Sequence, residues 1–154
     1  MSERDWFEDW FDSKYYHILY KNRDDAEAKK FIYCLMKQLQ LKPGMKLLDL
    51  ACGKGRHSKT LQELGYDVLG VDLSKKSIAD AQRWINNSLS FQVHDMRAVI
   101  QGHSFDAIFN LFTSFGYFDS PKDNERMCLS IAKMLEPGGV LVIDFMNVRK
   151  VIES

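Results

Sequence analysis

Neither sign of charge is in excess in this chain, which carries 21 Lys+Arg against 21 Asp+Glu. It therefore lacks the basic field that holds nucleic acid and the polybasic run that holds a membrane surface. Cysteine is scarce, with three in 154 residues. Cys34, Cys52 and Cys128 form neither a CxxC pair nor a Cys/His cluster, which excludes a disulfide framework or a thiolate zinc site and fits a reducing cytoplasm. No apolar run approaches the ~20 residues of a membrane span, and the opening MSERDWFEDWF has no basic n-region or apolar h-region. HExxH, GxSxG and clustered His/carboxylate ligands are all missing, so no metal site and no serine nucleophile are expected. What is left is one cytoplasmic domain acting on a small molecule or a protein, with 45% hydrophobic residues to build its core.

The chain changes rhythm near residue 45. Before it, the opening dozen residues mix Glu3, Asp5, Glu8, Asp9 and Asp12 with Trp6, Phe7, Trp10 and Phe11, a composition that fits a short segment docking its aromatics. Asp24-Asp25-Ala26-Glu27 reads as a helix N-terminus, and Ala28, Phe31, Ile32, Leu35, Met36 and Leu39 recur at helical spacing up to the stop at Lys42-Pro43-Gly44. After it, short apolar runs alternate with helical stretches, which is the pattern of βαβ units and a parallel sheet. Strands are expected at 46–50, 67–71, 89–93, 105–111 and 139–145, and helices at 56–64, 75–87 and 121–135. Residues 1–44 form the expected helical or lid segment, and 45–154 a Rossmann-like, doubly wound domain.

Asp49-Leu50-Ala51-Cys52-Gly53-Lys54-Gly55 runs from a strand through a glycine turn into a helix, where the backbone can come close to a ligand. A dinucleotide fingerprint would need a third glycine at position 58, but Ser58 stands there. Asp49 would also repel a pyrophosphate, whereas a ligand bearing an ammonium group suits it. Asp72, 17 positions after Gly55, ends the second strand, where a carboxylate can accept both ribose hydroxyls of an adenosine; its rival role is to cap the next helix. Asp95 and Met96 follow the third strand, placed for the amino group and ring of adenine, with a helix cap as the rival for Asp95. Backbone carbonyls around Asn110 and Leu111 are candidates to receive an ammonium group, and Phe112, Phe115, Tyr117 and Phe118 to wall the acceptor entrance.

In these motifs the chain resembles the class I, S-adenosylmethionine-dependent methyltransferases, from about Met45 to Asn147. DLACGKG is similar to that family's glycine motif, GVDLS to its ribose-binding acid, HDMR to its adenine-contacting segment, and Leu135-Glu136-Pro137-Gly138-Gly139 to the turn before its fifth strand. The resemblance implies S-adenosylmethionine as cofactor, S-adenosylhomocysteine as product, and a sheet of order 3-2-1-4-5 over the five strands present. It implies cofactor contacts from Asp49, Ala51, Gly53, Gly55, Asp72, Leu73, Asp95, Met96 and Asn110. Residues 16–23 are similar to the N-terminal segment of small-molecule N-methyltransferases. By that analogy Arg23 pairs with the methionine carboxylate, while Tyr16 or Tyr20 lines the methyl-transfer site, the rival readings being a surface ion pair and core packing. If the acceptor is an amine, Tyr16, Tyr20, His17 and His57 are the candidates to take its proton.

Less eventful expectations complete the reading. His57 is expected at the solvated surface, Cys52 as an unreactive small residue, and Cys34 and Cys128 as packing residues. The family's sheet has seven strands, of which five are legible, so a C-terminally truncated domain is expected. Its fifth strand would then offer an edge for a homodimer. Two rival functions stay open: a nicotinamide-dependent oxidoreductase domain, and a non-catalytic methyltransferase-like binding module.

Overall fold

The computed structural model describes residues 7, 13–15 and 25–153. Helix α1 (Asp25–Leu39) leads into β1 (Lys46–Leu50), α2 (Arg56–Glu63), β2 (Asp67–Asp72), α3 (Lys75–Ala81), β3 (Leu89–Val93), β4 (Phe105–Asn110), α4 (Pro121–Met134), β5 (Leu135–Ile143) and α5 (Val148–Glu153). The five strands make one all-parallel sheet in the order β3-β2-β1-β4-β5. This is the order expected of the Rossmann-like architecture.

A parallel sheet is covered on both faces by its crossover helices, so its central strands are apolar at nearly every position. Successive residues of β1 show why: Leu47 joins Ile32, Met36, Leu61 and Phe109 on one face, and Leu48 joins Ile108, Met127, Ile131 and Met134 on the other. The side chains of α1 thus share a core with those of β1. Phe7, from the start of the chain, is buried in the second cluster.

Local chemistry sets most of the helix ends. Ser74 Oγ accepts from the Ser77 N–H at 3.1 Å, and Ser120 Oγ from the Lys122 N–H at 3.3 Å with Pro121 opening α4. Two boundaries differ from expectation by more than two residues. The helix expected over 75–87 ends at Ala81 and tightens into a 3₁₀ turn at Gln82–Trp84, because Asn86 makes a turn of its own: its Oδ1 accepts from the Ser88 N–H and its N–H donates to the Leu89 carbonyl. Strand β5 begins at Leu135, which pairs with Phe105. The following Glu-Pro-Gly-Gly stretch then shifts the register before Val140 pairs with Ala107.

Cys34 and Cys128, expected to pack, are both exposed. Each lies on a helix whose buried stripe falls on other positions: Ala28, Ile32 and Met36 in α1, and Met127, Ser130, Ile131 and Met134 in α4. No helix among the described residues is long and apolar enough to cross a membrane.

Candidate cofactor site

A cleft of about 360 Å³ opens at the carboxyl edge of the sheet, built from the segments that leave β1, β2, β3 and β4. The segment after β1 supplies Ala51, Cys52, Gly53, Lys54, Arg56 and His57, with Asp49 beneath them. Asp72, Leu73 and Ser77 come from the β2 side, and His94, Asp95 and Met96 from the β3 side. Leu111, Phe112, Ser114, Tyr117 and Phe118 follow β4, and Phe7 completes the lining. Seven of the expected cofactor contacts meet here, Asp49, Ala51, Gly53, Asp72, Leu73, Asp95 and Met96, together with Phe112, Tyr117 and Phe118 of the expected acceptor wall. Tyr16, Tyr20 and Arg23 lie outside the described residues.

The glycine turn is tied to the end of β2. The Gly53 N–H donates to Asp72 Oδ2 at 2.8 Å, and the other oxygen of Asp72 accepts from the Ser74 N–H at 2.8 Å. Asp72 therefore binds the turn and also holds the start of the next helix, in keeping with the helix-end role weighed for it. Gly53 has φ +56, and nothing lies within 4 Å of where its Cβ would stand, which leaves open space for a ligand.

Gly55 needs its missing side chain for a different reason. Its φ is +78, and a Cβ there would meet the Phe91 ring at 2.5 Å. It is absent from the cleft lining. Gly70 on β2 accommodates the same ring, at 2.6 Å. These two glycines let Phe91 close the core under the turn.

Asp49 is almost wholly buried, with 1% exposure. Ser58 Oγ donates to its Oδ2 at 2.6 Å, so the serine that breaks the dinucleotide fingerprint is the partner of the acid that argues against a pyrophosphate. Burial pushes the Asp49 pKa up to about 7; the Ser58 hydrogen bond opposes the rise and the nearby Asp72 charge adds to it. Burial likewise pushes the Cys52 thiol well above its usual range, in keeping with an unreactive residue.

Asp95 is half-buried and clasped by Arg97, whose Nη2 and Nε donate to Oδ2 at 2.7 and 3.0 Å. Burial alone would raise its pKa, but the hydrogen bonds and charge of Arg97 hold it below the ordinary carboxylate value.

Asn110 is fully buried and does not line the cleft. Its carbonyl accepts from the Asp144 N–H at 2.9 Å and its Nδ2 donates to the Leu50 carbonyl at 3.1 Å, while its Oδ1 has no hydrogen-bond partner among the described residues. The backbone carbonyls expected to await an ammonium group are thus engaged, that of Leu111 by Ser114 Oγ at 3.0 Å.

His57 corrects the expectation of a solvated histidine. It is 7% exposed, lines the cleft and stacks on Phe112 at 4.6 Å between ring centroids, with Phe31 edge-on at 6.2 Å. Its burial was readable from helical spacing, which places it on the face of α2 that carries Leu61. Phe112 and Thr113 both have positive φ, 57 and 58. Ala51, at the neighbouring β1 exit, has φ 61. Three of the four non-glycine residues at positive φ among the described residues therefore lie at these two strand exits, the fourth being Gln40 at the end of α1.

A family profile described as "Methyltransferase domain" matches residues 47–139, the stretch that carries the sheet and nearly all of the cleft. The chain belongs to this methyltransferase family. The dTDP-3-amino-3,4,6-trideoxy-alpha-D-glucopyranose N,N-dimethyltransferase of Streptomyces venezuelae is 34% identical over 98 residues, 64% of this chain and 41% of that protein. Among solved structures, the sugar N-methyltransferase KedS8 from Streptoalloteichus sp ATCC 53650 superposes with a TM-score of 0.70 at 32% identity, covering 85% of this chain and 53% of that one. SAM-bound CalS10, an amino pentose methyltransferase from Micromonospora echinaspora, gives 0.69 at 25% identity, covering 87% and 57%. The chain spans a little under half the length of the curated relatives it matches.

S-adenosylmethionine is the methyltransferase cofactor, and the residues present fit it. Three carboxylates at strand ends suit a ligand rich in donors, and the open space at Gly53 admits one close to the backbone.

Proposed function

We propose that this chain is the cofactor-binding part of an enzyme that transfers a methyl group from S-adenosylmethionine to a small molecule, with an amine as the favoured acceptor. One observation carries the reading: Asp49, Gly53, Asp72 and Asp95, from three separate strand ends, face one cleft. In this reading Asp72 accepts the ribose hydroxyls, Asp95 and Met96 frame the adenine, and the amino-acid tail lies near Asp49 and Ala51. The acceptor class rests on relatives named for N-methylation of amino sugars.

When bound, S-adenosylmethionine supplies a methyl carbon already activated by a positively charged sulfur, so no metal or covalent nucleophile is required. The chain's own task is alignment and exclusion of water, worth roughly 7–11 kcal/mol of barrier when complete. His57 and Phe112 wall the cleft between the β1 and β4 exits, on the side assigned to the acceptor. Of the candidate proton acceptors, His57 lies in the cleft, while Tyr16, Tyr20 and His17 lie outside the described residues. In this reading the segment ahead of α1 acts as a lid, with Arg23 holding the methionine carboxylate, while α1 itself packs in the core.

Titration calorimetry with S-adenosylhomocysteine tests the assignment. Loss of two ribose contacts at about 0.5–1.5 kcal/mol each predicts a fall of about fivefold to a hundredfold in Asp72→Ala. Equal affinity in the two proteins would remove Asp72 from the site.

Self-association is a further part of the reading. Among the described residues β5 pairs only with β4, and Leu141, Ile143, Phe145 and Met146 are exposed along and just beyond it. Light scattering that shows a monomer at high concentration would overturn a dimer formed through this edge.

A further inference from the structure

Arg97 follows the β3 corner of the cleft and ties Asp95 there to α4 and to the Phe118 ring. Its backbone N–H and Nε donate to Asp95 Oδ1 at 2.9 and 3.1 Å, and its Nε and Nη2 reach Oδ2 at 3.0 and 2.7 Å. Nη1 turns the other way, to Asp123 Oδ2 on α4 at 3.2 Å. The guanidinium lies 4.9 Å from the centroid of Phe118, which meets Phe7 edge-on at 5.6 Å; both rings line the cleft. The Arg97 carbonyl is held in turn by Ser130 Oγ, also on α4, at 2.8 Å. The side chain is only 16% exposed.

A carboxylate offers about four lone-pair positions. Three N–H donors from one residue occupy most of those on Asp95 and fix the plane of the group, because a planar fork bound to both oxygens does not let it rotate. An ionised carboxylate accepts hydrogen bonds and cannot donate them. What it presents to the cleft is therefore an acceptor of fixed direction, which rewards a ligand amino group and rejects a ligand carbonyl.

We propose that Arg97 is a positioning residue that sets the cofactor's base preference: by clamping Asp95 it makes the cleft select a purine with an exocyclic amino group over one with an oxo group. The inference rests on the reading that Asp95 meets the adenine. Asp123 serves as the outer anchor, fixing the guanidinium to α4 so that the clamp does not swing into the cleft.

The test is titration calorimetry of the full chain with S-adenosylhomocysteine and with its deaminated counterpart, S-inosylhomocysteine, with melting curves as a check on folding. The wild type is expected to favour the adenine form by about a hundredfold. Asp95→Asn, whose amide can donate, is expected to compress or invert that ratio. Arg97→Gln should weaken S-adenosylhomocysteine about tenfold and compress the ratio. Arg97→Lys, which keeps the charge without the fork, should fall between; if Arg97→Gln does not fold, Arg97→Lys carries the test. A merely structural arginine would weaken both ligands equally and leave the ratio at the wild-type value, which would overturn the proposal. An unchanged ratio in Asp95→Asn would instead refute contact between Asp95 and the adenine, and the proposal with it.

Discussion

The two main walls of the cleft are built on different principles. The β1 exit, Asp49 to Gly55, reaches its shape mainly with glycines at positive φ and with partners on the adjacent β2 and α2. The β4 exit, Asn110 to Phe118, makes a comparable bend with Phe112 and Thr113 in left-handed conformations that side chains disfavour. It is held from outside: Asp144, just beyond β5, accepts from the Phe112 N–H through Oδ2 at 3.1 Å and from the Thr113 N–H through its carbonyl at 3.2 Å. The lesson is that a bend written in glycine needs little help, whereas a bend written in bulky residues depends on a distant clamp. In the second case the same residues can be aromatic walls, which glycines cannot be.

The largest expected effect concerns the acid under the first wall. Asp49 has a folded pKa of about 7, raised by burial from its ordinary value of 3.8. The folded state thus binds its proton more tightly than the unfolded chain. The resulting stability is fully present below about pH 4, declines as the pH rises toward 7, and is gone above that, a change on the order of 4 kcal/mol. Asp49→Asn should flatten the decline, and denaturant titrations of both proteins at pH 5 and pH 8 will show it. Equal pH dependence in the two would place the charged group elsewhere.

A smaller break in the same wall comes from Gly55→Ala, which sets a Cβ 2.5 Å from the Phe91 ring at a φ of +78. Left-handed strain and overpacking together should cost about 3 kcal/mol, read as a lower denaturant midpoint. A shift within error would mean that Phe91 moves aside freely.

The smallest effect sharpens the contrast. Asp144→Ala removes one acceptor from the second wall and should cost about 1–2 kcal/mol. Hydrogen exchange should rise over residues 111–118 and stay unchanged over 51–57. Uniform loss of protection across both walls would show that they do not stand independently.

Much of the fold was legible because its causes are local. Apolar runs of strand length, the Ser74 and Ser120-Pro121 caps and the glycine turn each act within a few residues, so the five strands follow from the pattern, while their order followed from the family resemblance. The boundaries that slipped did so for tertiary reasons. Leu135 became strand because Phe105 lies beside it, and the helix after Ser74 stopped early where the Asn86 turn begins.

For the site, the sequence by itself determined which residues stand at strand ends, because a parallel sheet delivers every carboxyl terminus to one edge. It thereby assigned Asp49, Gly53, Asp72 and Asp95 to one place. Only the tertiary structure decided what each is doing there. It showed that Gly55 is a packing glycine, that Ser58 serves Asp49, that Arg97 clasps Asp95, and that the ring stacked on His57 is Phe112. Each of these depends on a through-space neighbour or on the packing around it, and hydrogen bonding and close packing act over a few ångströms of space whatever the separation along the chain.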